Sequence, residues 1–310
     1  MSGGNGHLSG LHRLLSEGKF VITGECGPPK GADRATVERK AAYLKGNVDA
    51  VNVTDCQTAV ARLSSFGTCV ILKEKGLEPT LQMTCRDRNR IALTADVFGA
   101  HACGIHNLLC LTGDHQKFGN HPEARGVYDI DSVGLIQMVR RLRDEGRTLS
   151  GDEVEGKPRI FIGAAVNPFA DPFDYRVLRL KKKIDAGCQF VQTQCIYDME
   201  RFDEFMKRVV DAGLHERCHV LAGVTPFKSV GMARYMQKSV PGMIVPESYI
   251  ERLKGVPKEK RADEGIKIAV EQIQKLRETE GVAGVHLMAI EWEERVPEIV
   301  KEAGLLPRPE

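Results

Sequence analysis

Short apolar runs rich in β-branched residues alternate with longer amphipathic stretches along most of the chain. Gly, Pro or Asp separates each run from its neighbours, and runs of this length and composition predict buried β-strands. Eight strands are predicted, at residues 20–25, 50–54, 80–84, 107–112, 160–166, 190–194, 220–224 and 285–290.

The stretches between the predicted strands have the spacing of amphipathic helices. In residues 131–145, apolar side chains recur at intervals of three or four behind Asp131 or Ser132, either of which can cap the helix. Residues 263–279 carry a similar apolar stripe. The chain therefore alternates strand and helix.

Eight nearly continuous apolar strands, each followed by a helix, indicate parallel strands buried on both faces. The count and the chain length fit a (β/α)8 barrel of the TIM type, an α/β fold, as one catalytic domain over residues 19–305. Residues 1–18, which are rich in Gly, are expected to form a flexible leader. The alternative is a doubly wound open sheet, but no G-x-G-x-x-G follows the first strand.

Composition excludes several classes of protein. Hydrophobic residues make up 42% and charged residues 28% of the 310 residues, which excludes a disordered tail protein. The net charge of +2 (44 basic minus 42 acidic residues) predicts no binding to nucleic acid. No apolar run approaches the roughly 20 residues of a membrane span. Nine cysteines without a C-x-x-C pair indicate a reduced, cytoplasmic protein, and no metal site is predicted.

Polar side chains stand at or near the carboxyl ends of the predicted strands, where barrel enzymes place their chemistry. They are Glu25, Thr54, Gln82, Thr84, Thr112, Asp114, Asn167, Gln194 and Thr225. Each Thr, Asn or Asp taken singly can instead cap the next helix. Convergence on one pocket explains the set better than unrelated caps do.

Glu25 ends the first strand and is followed by Cys26, Gly27, Pro28 and Pro29. The proline rings remove backbone donors and leave an apolar wall. Such surroundings disfavour the ionised carboxylate, so we expect a raised pKa that suits Glu25 to deliver a proton. The alternative is a salt bridge to an Arg or Lys across the barrel mouth.

Asp114 and Gln194 are the other two candidates for contact with a ligand. Asp114 follows an apolar strand and Gly113, which lets a ligand approach the backbone. Its carboxylate could accept hydrogen bonds from amino groups or tune a bound ring; the alternative is a helix cap. The Gln194 amide matches the edge of a heterocycle such as a pterin, and a core amide is about equally compatible with this residue.

A row of cations, Arg179, Lys181, Lys182 and Lys183, occupies the predicted helix after the fifth strand. Because the row covers most of a helix circumference, one or two of these side chains face solvent. The remainder could bind a diphosphate.

Six motifs, in this order along the chain, resemble the methylenetetrahydrofolate reductase family. They are E-x-x-P-P at residues 25–29, V-x-V-T at 51–54, M-T-C at 83–85, L-x-G-D at 111–114, K-x-D-A-G at 183–187 and T-Q at 193–194. The resemblance extends from about residue 19 to residue 305.

The resemblance implies reduction of 5,10-methylenetetrahydrofolate to 5-methyltetrahydrofolate by hydride transfer from reduced FAD, with FMN as the alternative flavin. It implies that Glu25 is the general acid, that Asp114 lies between flavin and pterin, and that Gln194 and Phe227 contact the folate substrate. The implied cofactor-binding residues are Thr54, Gln82, Thr112, Gly113, Asp114, Tyr128, Ala165, Asn167, Arg179, Lys182 and Lys183.

Several positions depart from the family pattern. Gln82 stands where many members have His, Thr112 replaces an Arg, and Asn167 replaces a Tyr. The family's L-N-R after the last strand is here Ile290, Glu291 and Trp292, so a cation is missing.

The missing cation leaves two electron donors open for the flavin. One is direct use of NAD(P)H, and the other is a partner subunit with iron-sulfur clusters in an oligomer or hetero-complex. Two other functions also remain: a pterin-binding methyltransferase without redox chemistry, and a barrel subunit that docks a catalytic partner.

Overall fold

The computed structural model describes residues 6–240 and 242–309, in which eight parallel strands pair in chain order to form a closed barrel. The strands are β1 (Val21–Cys26), β2 (Ala50–Val53), β3 (Pro79–Thr84), β4 (Asn107–Leu111), β5 (Phe161–Val166), β6 (Phe190–Cys195), β7 (His219–Val224) and β8 (Val282–Leu287). Pairing between β8 and β1 closes the ring. The predicted (β/α)8 fold is therefore confirmed.

Helices cover the outside of the barrel. They are α1 (Gly10–Ser16), α2 (Arg34–Leu44), α3 (Ser65–Glu74), α4 (Arg90–Ala102), α5 (Ser132–Asp144), α6 (Tyr175–Ala186), α7 (Met199–Asp211), α8 (Val230–Ser239), α9 (Glu247–Lys254), α10 (Arg261–Glu278) and α11 (Val296–Glu302). Asp131 caps α5, because its carboxylate accepts a hydrogen bond from Gly134 N at 2.8 Å. None of the helices in the described residues is both long enough and apolar enough to cross a membrane.

Strand boundaries agree with the prediction to within one residue except at β8. That strand begins three residues before the predicted residue 285 and ends at Leu287. Beyond it the chain turns, and Trp292 N donates to Ala289 O at 3.0 Å. The apolar run over residues 285–290 therefore includes part of a turn.

The amino end of the barrel is filled by apolar side chains. They include Val21, Ala50, Leu109, Phe161, Phe190 and Leu221. Phe161 and Phe190 stack with ring centroids 4.8 Å apart. Gly163 makes room for this pair, since a Cβ at that position would lie 2.2 Å from Phe190 Cζ.

Helix α1 closes the amino end of the barrel, which corrects the prediction of a flexible leader over residues 1–18. Leu11, Leu14 and Leu15 are buried there and belong to the same apolar cluster as Val21 and Phe161. Burial of three leucines stabilises the helix on the barrel. Residues 1–5 of the predicted leader lie outside the described part of the chain.

Candidate active site at the carboxyl end of the barrel

A polar layer inside the barrel separates the apolar amino end from the mouth at the carboxyl end. Asn52 and Gln192 exchange two amide hydrogen bonds, of 2.5 and 3.0 Å. Gln192 Nε2 also donates to Thr23 Oγ1 at 3.3 Å, and Thr23 Oγ1 lies 2.9 Å from His286 Nδ1. All four side chains are buried. Because these polar groups bond to one another, the barrel can hold them without water.

Glu25 lies directly above this layer. It is two residues after Thr23, so both side chains are on the interior face of β1. Glu25 Oε2 is 3.8 Å from His286 Nε2, and 16% of the Glu25 side chain is exposed. The acid thus borders the buried layer on one side and the mouth on the other.

The residues that follow Glu25 are mostly buried. Cys26, Gly27 and Pro28 are buried, and burial raises the pKa of the Cys26 thiol to about 12. Among residues 6–240 and 242–309, no Arg or Lys forms an ion pair with Glu25. The alternative of a structural salt bridge across the mouth is therefore not realised in the part of the chain described.

Asp114 stands at the mouth in the loop after β4, with an exposed side chain. Its backbone oxygen accepts a hydrogen bond from Tyr128 Oη at 3.1 Å. Gly113 before it has φ +95°, and a Cβ there would be 2.9 Å from Arg86 Cβ. The carboxylate itself has no hydrogen bond or ion pair with the described residues. It is free to accept hydrogen bonds from a ligand, and Asp131 rather than Asp114 caps the next helix.

Gln194 lies at an irregularity near the end of β6. The pairing of β6 with β7 shifts register between Gln192 and Cys195, and Thr193 Oγ1 accepts from Gly223 N at 2.8 Å within the shifted segment. Such bulges redirect side chains and are frequent beside active sites. Gln194 Oε1 accepts from Cys195 N at 3.0 Å, and the side chain is half-exposed. Its Nε2 has no partner within the described chain.

The remaining strand-end candidates differ in what they offer to a ligand. Gln82 is nearly buried, with no side-chain hydrogen bond in the described residues. Thr54 Oγ1 donates to Gln57 Oε1 at 2.7 Å, whereas the exposed Thr112 accepts from Ser132 N at 3.1 Å. Asn167 Oδ1 accepts from the backbone of the next turn, 2.9 Å from Phe169 N.

Two of the strand-end hydroxyl groups have structural partners. Thr84 Oγ1 donates to Asp55 Oδ2 at 2.9 Å, and the Asp55 carboxylate also pairs with Arg88. Thr225 Oγ1 lies 3.0 Å from Cys195 Sγ. These threonines hold neighbouring strand ends together.

The cations of α6 divide into two groups. Lys181 is paired with Asp185, as expected for a charge that faces solvent. Lys183 is half-buried beneath β5 and donates to Ala165 O, and burial lowers the pKa of its ammonium. Arg179 and Lys182 are exposed. None of these last three has a carboxylate partner among the described residues.

Phe227 differs from its prediction as a folate-contacting ring. The side chain is 0% exposed and stacks on Tyr197 with centroids 4.4 Å apart. Tyr249 of α9 packs on it at 6.3 Å. Phe227 is therefore part of an aromatic cluster outside the barrel and is not available to a substrate in this arrangement.

A charged cluster on the β8 side of the mouth was missed by the sequence analysis. Lys40 Nζ of α2 is 2.8 Å from both Glu291 Oε2 and Glu293 Oε1, and it donates to Gly27 O at 3.1 Å. Lys228 Nζ donates to Glu291 O at 2.9 Å. Glu291 has φ +48°, which is strained for a residue with a side chain. Lys40 and Glu291 are far apart along the chain, so the sequence gave no indication that they are in contact.

The segment after β8 carries the residues that replace the L-N-R motif, and Glu293 follows them directly. Burial raises the pKa of Glu293 despite the nearby Lys40. Burial opposes the effect of Lys40 and Arg62 on Glu291, whose pKa is nonetheless lowered. In the described residues, no group of three or more His, Cys, Asp or Glu is arranged to hold a metal ion.

Comparison with known proteins identifies the family. The family model described as methylenetetrahydrofolate reductase matches residues 10–304. A 5,10-methylenetetrahydrofolate reductase of Pectobacterium carotovorum is 26% identical, over 96% of this chain and 95% of its own length. A Caenorhabditis elegans relative, "Probable methylenetetrahydrofolate reductase (NADPH)", is 24% identical over 95% of this chain. The chain spans only 44% of the length of that relative.

A solved structure has the same fold. It is a protein from Clostridium thermocellum that binds two copies of 5-methyl-5,6,7,8-tetrahydrofolic acid, and it superposes with a TM-score of 0.65 over 96% of this chain and 99% of its own. The two sequences are 13% identical, so this likeness concerns the fold. Since the family model covers nearly the whole barrel and its mouth, the chain belongs to the methylenetetrahydrofolate reductase family.

Proposed function

We propose that this chain reduces 5,10-methylenetetrahydrofolate to 5-methyltetrahydrofolate, with FAD as the hydride donor and Glu25 as the general acid. The observation that carries the proposal is the position of Glu25, between a buried hydrogen-bonded layer and the mouth, beside His286. Family membership and the folate-binding barrel of Clostridium thermocellum support the substrate class.

The residues at the mouth fit a flavin dinucleotide. Arg179, Lys182 and Lys183 are cations without carboxylate partners in the described chain, which suits them to a diphosphate. Gly113 lets the loop after β4 turn with a positive φ against Arg86 and Thr84, and Gln82 brings an amide that has no side-chain partner in the described residues. Thr54, Thr112, Tyr128, Ala165 and Asn167 complete the proposed cofactor set. When bound, reduced FAD supplies the hydride, and the protein orients and encloses the reactants.

Glu25 would hold the proton that opens the substrate's five-membered ring. Protonation of N10 allows its bond to the bridging carbon to break, which leaves an iminium at N5 of the folate. Hydride addition to the iminium carbon then converts that carbon into the methyl group of the product. An amine is a poor leaving group without this proton, so an acid at the mouth is required. His286, fixed by Thr23 from below, restricts where the Glu25 carboxyl can lie.

Asp114 and Gln194 would orient the pterin. The Asp114 carboxylate can accept from the amino and ring N–H groups of the heterocycle, and the Gln194 Nε2 can donate to its ring acceptors. Neither the Asp114 carboxylate nor the Gln194 Nε2 has a hydrogen-bond partner in the described residues. Phe227 is excluded from this set because its ring is enclosed by Tyr197 and Tyr249.

The electron donor is proposed to be NAD(P)H or a partner subunit with iron-sulfur clusters. The mouth presents the Glu291 carboxylate where the family motif has a polar amide followed by a cation, which favours a protein donor within a hetero-complex. Nine free cysteines are consistent with a reducing, cytoplasmic location. Anaerobic addition of NADH and then NADPH to the flavin-loaded chain separates the two donors, because rapid bleaching removes the need for a partner.

A direct experiment tests the function. The chain is loaded with FAD, reduced chemically without oxygen, and mixed with 5,10-methylenetetrahydrofolate while the flavin absorbance and 5-methyltetrahydrofolate are followed. We expect one product molecule per flavin reoxidised. A chain that binds folate but no flavin would instead support the colourless, pterin-binding methyltransferase.

A further inference from the structure

A cavity of about 500 Å³ lies at the opposite end of the barrel from Glu25. It is bordered by α1 and by the segments that enter β3, β4 and β5. His106 directly precedes β4, and Arg159 lies just before β5. No residue that we assign to the proposed reaction lies at this end of the barrel. The apolar cluster that includes Phe161 fills the barrel between the mouth and this cavity.

The lining of this basal cavity carries an excess of positive charge. Arg13, Lys73 and Arg159 line it, against one carboxylate, Glu78. Glu78 is already used as an acceptor, for Gly10 N at 3.0 Å and also for Leu11 N and Asn107 Nδ2. Lys73 and Arg159 form no ion pair with any residue in the described ranges. Two unpaired cations and the single carboxylate of Glu78 therefore leave the lining, as far as the described residues show, with a net positive charge.

Two imidazole side chains also border the cavity. His106 Nδ1 lies 2.9 Å from Arg159 O, and because a carbonyl oxygen only accepts, Nδ1 carries the hydrogen and Nε2 can take up a proton. His7 lines the same cavity, and its carbonyl accepts from Arg159 Nη2 at 2.7 Å. Burial, with additional repulsion from His101, Lys73 and Arg159, lowers the pKa of His106. An anion in the cavity would relieve that repulsion.

We propose that the basal cavity is a binding site for a multiply phosphorylated small molecule, held by Lys73 and Arg159 and supported by His106. Guanidinium and ammonium groups are the preferred protein partners of phosphate oxygens. A volume of about 500 Å³ accommodates an oligophosphate with or without a nucleoside. The site is separate from the mouth, so its occupant binds together with folate and flavin.

Calorimetric titration of the full chain with tripolyphosphate, and separately with ATP, tests the proposal. We expect saturable binding that weakens about tenfold in Lys73→Met and further in Lys73→Met/Arg159→Met, since each substitution removes a charge-assisted hydrogen bond. Lys73 is exposed, so the single variant should fold normally. Equal affinities for the two ligands would mean that the site recognises the phosphates, and tighter ATP binding would mean that the nucleoside contributes.

The matched control is Lys181→Met, which removes an exposed cation of α6 that is paired with Asp185. It should leave tripolyphosphate affinity unchanged, whereas an equal loss of affinity in this variant would show that binding depends only on overall charge and would overturn the proposal. Absence of binding to the unmodified chain at millimolar ligand would overturn it as well. A second measurement is the NMR titration of the His106 ring, whose pKa should rise when tripolyphosphate is bound and stay unchanged if the anion lies elsewhere.

Discussion

Glu25 and His286 face each other inside the barrel, with Glu25 Oε2 3.8 Å from His286 Nε2, although they belong to the first and last strands. The contact exists because β1 and β8 pair, with Thr23 opposite His286 in the register. Closure of the barrel therefore builds the candidate acid site. His286 is in turn held through its Nδ1 by Thr23 Oγ1.

Thr23→Val should destabilise the protein by about 1–3 kcal/mol. The substitution keeps the side-chain shape but leaves His286 Nδ1 and one Gln192 hydrogen without their buried partner. Urea unfolding measures the loss. Thr23→Ser retains the hydroxyl and should be clearly less affected; equal losses in the two variants would show that the hydroxyl contributes nothing.

Gly113→Ala should lower stability by about 1–3 kcal/mol and weaken flavin binding. The position has φ +95°, and the added Cβ would overlap Arg86 Cβ and press on Thr84. Gly213→Ala provides the control, because that residue also has positive φ but open space around it. Thermal unfolding and flavin titration should show a larger loss of stability and of flavin affinity in Gly113→Ala than in Gly213→Ala. Equal losses in the two variants would show that close packing at Gly113 contributes nothing.

The barrel was predictable because its signal is local and repeats eight times. An apolar run such as the one around Ala164 is buried whichever strands flank it, so no knowledge of long-range contacts is needed. At β8 both predicted boundaries were wrong by three residues. Ala289 lies in a turn after the strand but is as deeply buried as a strand residue. Burial alone does not distinguish the two.

The site was only partly predictable because some of its contacts join distant segments. Glu25 and Asp114 follow apolar strands and could be recognised, whereas the roles of His286 and Lys40 depend on partners that only the closed barrel supplies. Phe227 shows the opposite error. Its place after β7 suggested a ligand contact, but the packing of α9 over it, through Tyr249, cannot be inferred from position in the sequence.

Lys183→Met should weaken FAD binding at least about tenfold, since it removes a half-buried cation without a carboxylate partner. Lys181→Met is the matched control on the same helix, because Lys181 is already paired with Asp185. Fluorescence titration of flavin gives both affinities. Indistinguishable affinities in the two variants would place the diphosphate away from the inner face of α6.

Lys40→Met should destabilise the protein by about 3 kcal/mol near neutral pH, because it leaves the buried Glu293 carboxylate without its cation. Burial already raises the pKa of Glu293 in the folded protein, so the folded state binds this proton more tightly than the unfolded state. The stability cost is therefore present above the raised pKa and is relieved as pH falls towards the ordinary glutamate range. Between neutral pH and about pH 5, the free energy of unfolding of Lys40→Met should therefore rise relative to that of the unsubstituted protein.

Unfolding measured at several pH values checks this dependence. The double variant Lys40→Met/Glu293→Gln is the control, because it carries no buried ionised carboxylate at that position and should lose most of the pH dependence. A Lys40→Met variant whose deficit is constant from neutral to acidic pH would contradict the assignment to Glu293.

The most direct test of the account is single-turnover reoxidation of the reduced, FAD-loaded chain by 5,10-methylenetetrahydrofolate, compared with Glu25→Gln. The amide keeps the size of the side chain but cannot deliver the proton, so we predict reoxidation slower by at least about 100-fold while FAD remains bound and is reduced normally. An unchanged rate of reoxidation and of 5-methyltetrahydrofolate formation in Glu25→Gln would contradict the role of Glu25 and the proposed mechanism.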